Sequence, residues 1–187
     1  AVECFLAEGY PEDVINMFNS SGRAGAPIDI SENLLRGGGP SLSGGGILIG
    51  ESSGDYNRSY YNKGYNVGNY IFAVAGGSNN SMIDNIGYSD HTQISVDNWS
   101  NVGFFIWAQE AHSLPLDNLT FTGNINFTNT ARFGYNPLFY PTPVTGTIQY
   151  SNLDFYGAGE ENVFLSLLNF PGTIITYVTE DILWQIR

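Results

Sequence analysis

The sequence predicts an all-β fold, read as a parallel β-solenoid ahead of an antiparallel β-sandwich or jelly roll. Three observations carry that expectation. Apolar and polar residues alternate with a two-residue period through much of the chain from residue 70 onward, the mark of half-buried strands. Only 13% of residues are charged, so polarity rests on Asn, Ser, Thr, Tyr and the 23 glycines, a vocabulary of strands and tight turns. Finally, a short strand–corner–strand motif recurs along the chain. A length of 187 residues suffices for one hydrophobic core, and a single all-β domain over 1–187 is expected, with a distinct opening segment at 1–50 and the main β region at 70–187.

Taken in order, "YPEDVINMFNSSG" (Tyr10 to Gly22) reads as one short helix: Pro11 suits its first turn, and Val14, Ile15, Met17 and Phe18 precede a glycine stop. In "RGGGPSLSGGGILIG" (Arg36 to Gly50) glycine is so dense that only Ile47 to Ile49 is credible as a strand. No Lys-[Ser/Thr] follows these glycines, so they do not form a phosphate cradle. "DYNRSYYNKGYNVGNY" (Asp55 to Tyr70) mixes tyrosine with Asn and Gly, either as a long turn or as an adaptable binding loop. "YIFAVAGG" from Tyr70 is an apolar run of strand length, expected to be covered on both faces. Further strands are expected at Gln93–Asp97, Val102–Ala108, Asn118–Thr128, Gly146–Ser151, Asn162–Leu168 and Thr173–Ile186.

The recurring motif is clearest in "ISVDNWSN" from Ile94, "LPLDNLTF" from Leu114 and "IQYSNLDF" from Ile148. "IDNIGY" at Ile83 is a shorter copy, and "IDISENLL" at Ile28 fits with one extra residue. Apolar residues switch parity across each polar pair, so both flanks can face one core only if the chain turns at the asparagine: Asn85, Asn98, Asn118 or Asn152. Asn tolerates the left-handed conformation such a corner needs. On these residues the chain resembles right-handed parallel β-helix proteins, the class of pectate-lyase-like enzymes, phage tailspikes and surface adhesins. The resemblance spans roughly Ile83 to Leu168 and implies a coiled, extracellular protein. Asn98 and Asn118 are spaced as a solenoid turn would be, whereas the 13 residues from Asn85 to Asn98 are too few. In a sandwich, the same pairs would be hairpin turns.

Six N-x-[ST] glycan acceptors occur, at Asn19, Asn57, Asn79, Asn98, Asn118 and Asn126, against roughly three expected by chance from the Asn, Ser and Thr content. Asn118 and Asn126 share one parity of the clearest strand pattern, which is therefore expected to face solvent. A net charge of −12 repels nucleic acid and anionic bilayers, and no run approaches the length of a membrane span. The acidity leaves Ca²⁺ as a candidate ligand; no other cofactor is implied. The lone Cys4 excludes an intrachain disulfide and leaves a buried thiol, an intermolecular bridge or a lipid link. An N-terminal Ala suggests a removed leader, although an expressed fragment would begin the same way.

Asp84, Asp90, Asp97, Glu110 and Asp117 cluster in sequence near His91 and His112 and could supply a glycosidase pair, yet nothing fixes their geometry. The chain lacks the Asp-Asp and Gly-His-Gly signatures of carbohydrate-active β-helices. A carbohydrate-binding face could draw on Tyr56, Tyr60, Tyr61, Tyr65 and Trp99, while Trp107 in an apolar run reads as core. The expected role is a secreted or surface structural protein, N-glycosylated and self-associating: a filament subunit, surface-layer component, adhesin or virion spike. A polysaccharide-active enzyme or a carbohydrate-binding module is the alternative.

Overall fold

The computed structural model describes residues 2–4, 12–37, 44–65, 67–91, 102–106, 116–130, 134–135, 138–139, 148–151 and 154–156. They wind as a three-sided parallel β-solenoid, one strand per side in each coil. The first coil comprises β1 (Val2–Cys4), β2 (Ile15–Asn16) and β3 (Ile28–Ser31), and the second β4 (Leu34–Gly37), β5 (Ile47–Ile49) and β6 (Asn57–Tyr60). Next come β7 (Lys63–Tyr65), β8 (Tyr70–Val74) and β9 (Ser81–Ile83), then β10 (Ile86–His91), β11 (Val102–Ile106) and β12 (Leu119–Thr122). The fifth coil opens on β13 (Ile125–Thr130), against which β14 (Gly134–Tyr135) folds back antiparallel, and continues through β15 (Leu138–Phe139) and β16 (Ile148–Ser151); β17 (Asp154–Tyr156) begins another. Parallel pairing stacks β1-β4-β7-β10-β13-β17 as the first sheet, β2-β5-β8-β11-β15 as the second and β3-β6-β9-β12-β16 as the third.

The core fills the space between the sheets. Inward residues keep register from coil to coil: Ile47, Phe72 and Phe104 form one column of the second sheet, with the Phe72 and Phe104 rings stacked at 5.3 Å. In the third sheet Ser59, Met82 and Phe121 form another, and Phe121 meets Phe104 edge-on at 6.4 Å. As the apolar run at Tyr70 predicts, β8 is buried along its whole length.

The corner from the third sheet to the first is built by asparagines. Asn33, Asn62, Asn85 and Asn124 stack there at separations of 29, 23 and 39 residues. Asn62, Asn85 and Asn124 each accept, on Oδ1, both the backbone N–H and the side-chain amide of the asparagine one coil before, every bond at 3.0 Å. Their own Nδ2 groups donate to the inner carbonyls of Ile30, Ser59 and Met82. Asn62, Asn85 and Asn124 are fully buried, so these bonds satisfy polar groups that water cannot reach. Before each asparagine stands a residue in the left-handed conformation: Glu32, Tyr61, Asp84 and Gly123. The predicted corner at Asn85 and the copy at Ile28 belong to this ladder. Asn118 turns a different corner, and Asn98 and Asn152 lie outside the described residues.

Two expectations are corrected. No helix forms over the described residues 12–22: the Val14, Ile15 and Met17 amides donate to the Gly45, Gly46 and Leu48 carbonyls, so pairing with the next coil overrides the local helical pattern. The segment Asn118–Thr128 is two strands, β12 and β13, broken at the Gly123–Asn124 corner. Parity inverts there, so Asn126 and Thr128 point into the core and are buried, with the Asn126 Nδ2 donating to Thr128 Oγ1 at 3.0 Å.

Candidate functional site

The outward face of the third sheet carries a groove of about 640 Å³ that crosses several coils. Its floor includes Arg58, Ser81 and Thr120, successive members of one outward column of β6, β9 and β12. One wall is the corner from the second sheet to the third, where Tyr56, Asn79 and Asn118 occupy equivalent places in three coils, all in the left-handed conformation (φ 53°, 60° and 50°). Backbone bonds carry the corner from coil to coil: the Ile28 N–H donates to the Tyr56 carbonyl, the Tyr56 N–H to Ser78 and the Asn79 N–H to Asp117. The Asn118 Nδ2 donates to Asn79 Oδ1 at 2.6 Å. A hairpin closed by two bonds between Arg23 and Ala26 forms the end of the groove at the first coil.

Beneath this corner lies a second buried amide pair. Asn80 Oδ1 accepts the Asn57 N–H at 2.8 Å, and its Nδ2 donates to Gly54 and Gly76. The groove is thus mounted on a backbone tied down from inside, which gives it the rigidity a pre-formed site needs.

Charge is balanced at the Arg58 end of the groove. Arg58 grips Asp29 with two parallel bonds, Nε to Oδ1 and Nη2 to Oδ2, both 2.8 Å. That grip holds the Asp29 carboxyl below its usual range and raises the Arg58 guanidinium. The guanidinium also lies 5.0 Å from the centre of the Tyr60 ring, which in turn meets Tyr61 edge-on at 5.4 Å. Tyr61 is 55% exposed.

The predicted site residues divide accordingly. Tyr56 lines the groove, and Tyr60 and Tyr61 extend from it along the same strand to the next corner. Tyr65 does not join them: it is buried on the first sheet, and burial pushes its hydroxyl up to about 12. Trp99 lies outside the described residues. Among the glycan acceptors, Asn19 and Asn118 are exposed and Asn79 is half-buried. Asn57 and Asn126 are fully buried, and neither position has room for a glycan in this fold; Asn98 lies outside the described residues.

A scan against protein-family models, a search of curated proteins and a search of solved structures found no match to this chain. The groove must therefore be read from its own chemistry.

Among the described residues the acidic cluster does not assemble. Asp84 sits at the corner after β9, and Asp117, at the corner before β12, lies beside Ser78, six residues before Asp84 and about 20 Å from it at the rise of a strand, beyond the reach of a paired glycosidase acid and base. Asp90 and His91 end β10, while Asp97, Glu110 and His112 lie outside the described residues. Among the described residues no group of three or more His, Cys, Asp or Glu comes together to hold a metal such as Ca²⁺, and no helix is long and apolar enough to cross a membrane. Sequence reasoning passed over Arg23, Asp29, Arg58, Ser81 and Thr120, which only the coil register brings together. The signal that could have found them was the correct coil length.

Proposed function

We propose that this protein is an extracellular β-solenoid attachment protein that holds a glycan along the groove of its third sheet. The observation that carries the reading is the placing of Tyr56 and Tyr61. They stand at the two ends of β6, each in a left-handed conformation: at the Tyr56 place Asn79 and Asn118 share it and Pro27 of the preceding coil does not, while at the Tyr61 place the equivalents are Glu32, Asp84 and Gly123. A tyrosine there costs about 1 kcal/mol relative to glycine, and for the exposed Tyr61 core packing does not offset that cost. Strain of this kind, kept beside a pre-formed groove, marks a binding function. Aromatic faces offer sugars apolar area, while the Arg58–Asp29 pair and the Ser81 and Thr120 hydroxyls supply the hydrogen-bonding groups that sugar hydroxyls need.

Of the surface sequons, Asn79 and Asn118 line the groove, and a glycan on either would crowd it. Among the described acceptors Asn19 is the one compatible with an open groove, so peptide mapping of natively sourced protein is expected to show carbohydrate at Asn19. Affinity electrophoresis through gels containing soluble polysaccharides, with reducing ends assayed in parallel, tests the function. Retardation without new reducing ends supports attachment; release of reducing ends would make the protein a hydrolase instead.

Self-assembly is a second reading favoured by a specific feature. Among the described residues β2 and β3 each pair on one side alone, an arrangement to which a further strand, of this chain or of another copy, can add. Negative-stain electron microscopy distinguishes fibres from single particles.

A further inference from the structure

We propose that the groove selects a glycan unit bearing a single oxyanion, a carboxylate or a sulfate ester, and that Arg23 pairs with it. The inference rests on the glycan-holding reading above and adds the charge of the sugar.

The chain has 6 Lys and Arg against 18 Asp and Glu, yet two of those six cations, Arg23 and Arg58, lie on this one groove. They are in different states. Arg58 is committed to Asp29, so that end of the groove is neutral overall and suits uncharged hydroxyls. Arg23 is exposed, and among the described residues its side chain makes no hydrogen bond or ion pair. Its backbone is fixed by the two bonds to Ala26, so the side chain springs from a defined point. Gly25 tightens the hairpin (φ 78°), and a Cβ added there would meet nothing within 4 Å, so the tip beside Arg23 is open to a ligand. A guanidinium presents a planar fork of donors that matches the oxygens of a carboxylate or sulfate.

The whole molecule limits how much charge the ligand can carry. At −12 the protein repels a dense polyanion, whereas one oxyanion placed on Arg23 lies within about 8 Å, a Debye length, of a cation with no side-chain partner among the described residues. Isolated acidic sugars are therefore preferred over both neutral chains and polyanions.

The test is a glycan array probed with the full chain. It should carry neutral, singly carboxylated and singly sulfated glycans of matched backbone, plus heparin and polyuronate as polyanions. Tightest binding to a singly carboxylated or singly sulfated member is expected, and which of the two binds identifies the oxyanion. Arg23→Gln should lower that binding about tenfold, to the level of the neutral counterpart, and Arg23→Lys should retain part of it. Equal binding of neutral glycans, preference for the polyanions, or an unaffected Arg23→Gln protein would overturn the charge assignment and leave the glycan-holding reading standing. No binding across the array would sink both.

Discussion

At the level of single residues, the buried asparagines are the least replaceable side chains described. Asn85 accepts from the Asn62 backbone and side chain and donates to Asn124 and to the Ser59 carbonyl. Asn85→Ala strands several of these groups in the core and should cost about 2–4 kcal/mol in urea unfolding. Among the described residues the buried Ser89 Oγ has no hydrogen-bond partner. Ser89→Ala is therefore expected to be neutral or to stabilise by about 1 kcal/mol. Similar losses from both substitutions would refute this account of the polar interior. Asp13 gives a pH-dependent prediction. Burial raises its carboxyl above the ordinary 3.8, although Oδ1 accepts from the Tyr70 hydroxyl and from the Gly45 N–H. The native state thus keeps a proton that the unfolded chain has released, so the stability from this group is complete below the unfolded pKa and is lost as pH rises through the folded one. Asp13→Asn should flatten the decline in melting temperature from about pH 4 upward; an unchanged pH profile would contradict it. The corner role of Asn85 was legible in the sequence because its polar pair switches the parity of flanking apolar residues. Asn62 and Asn124 escaped notice because Tyr61 and Gly123 replace the Asp or Glu that precedes Asn at the other corners.

At the level of elements, strands of two to six residues gain their identity from the next coil rather than from their own propensity. The Tyr10 to Gly22 pattern has the start, apolar face and stop of a helix, yet Ile15–Asn16 pairs with Ile47–Leu48. Local pattern cannot report a partner some thirty residues away. The pattern of β12 and β13 misled for a related reason: Gly123 permits the turn that inverts the faces, and unbroken alternation through a corner looks like one longer strand. The corners of β6 set a trade between stability and the proposed glycan binding. Tyr61→Asn should raise stability by about 0.5–1 kcal/mol, since Asn tolerates the left-handed conformation, while weakening any glycan bound beside it. A loss of stability would show that the ring contributes packing and would remove the argument from strain.

At the level of the whole molecule, composition and parity were enough to read a parallel solenoid, whereas the coil lengths were not. Successive asparagines of the ladder lie 29, 23 and 39 residues apart, so no fixed period runs through the chain. The variation is absorbed in the stretches from the first sheet to the second and from the second to the third, while the strands of the third sheet keep one register from β3 to β12. A groove built on that invariant side crosses coils whose residues are far apart in sequence, and this is why Arg23, Arg58, Ser81 and Thr120 meet there without forming any motif. The tyrosines were legible because their chemistry is intrinsic; the polar floor was not, because its chemistry arises from stacking. The measurement that tests the central claim most directly is calorimetric titration of a glycan retained in the affinity gels, into the wild-type protein and into Ser81→Trp. That substitution fills the groove floor from its outward face and leaves the core intact. The account predicts saturable binding to the wild type and none to the filled variant, with both melting at the same temperature. Undiminished binding to Ser81→Trp would place the glycan elsewhere and contradict it.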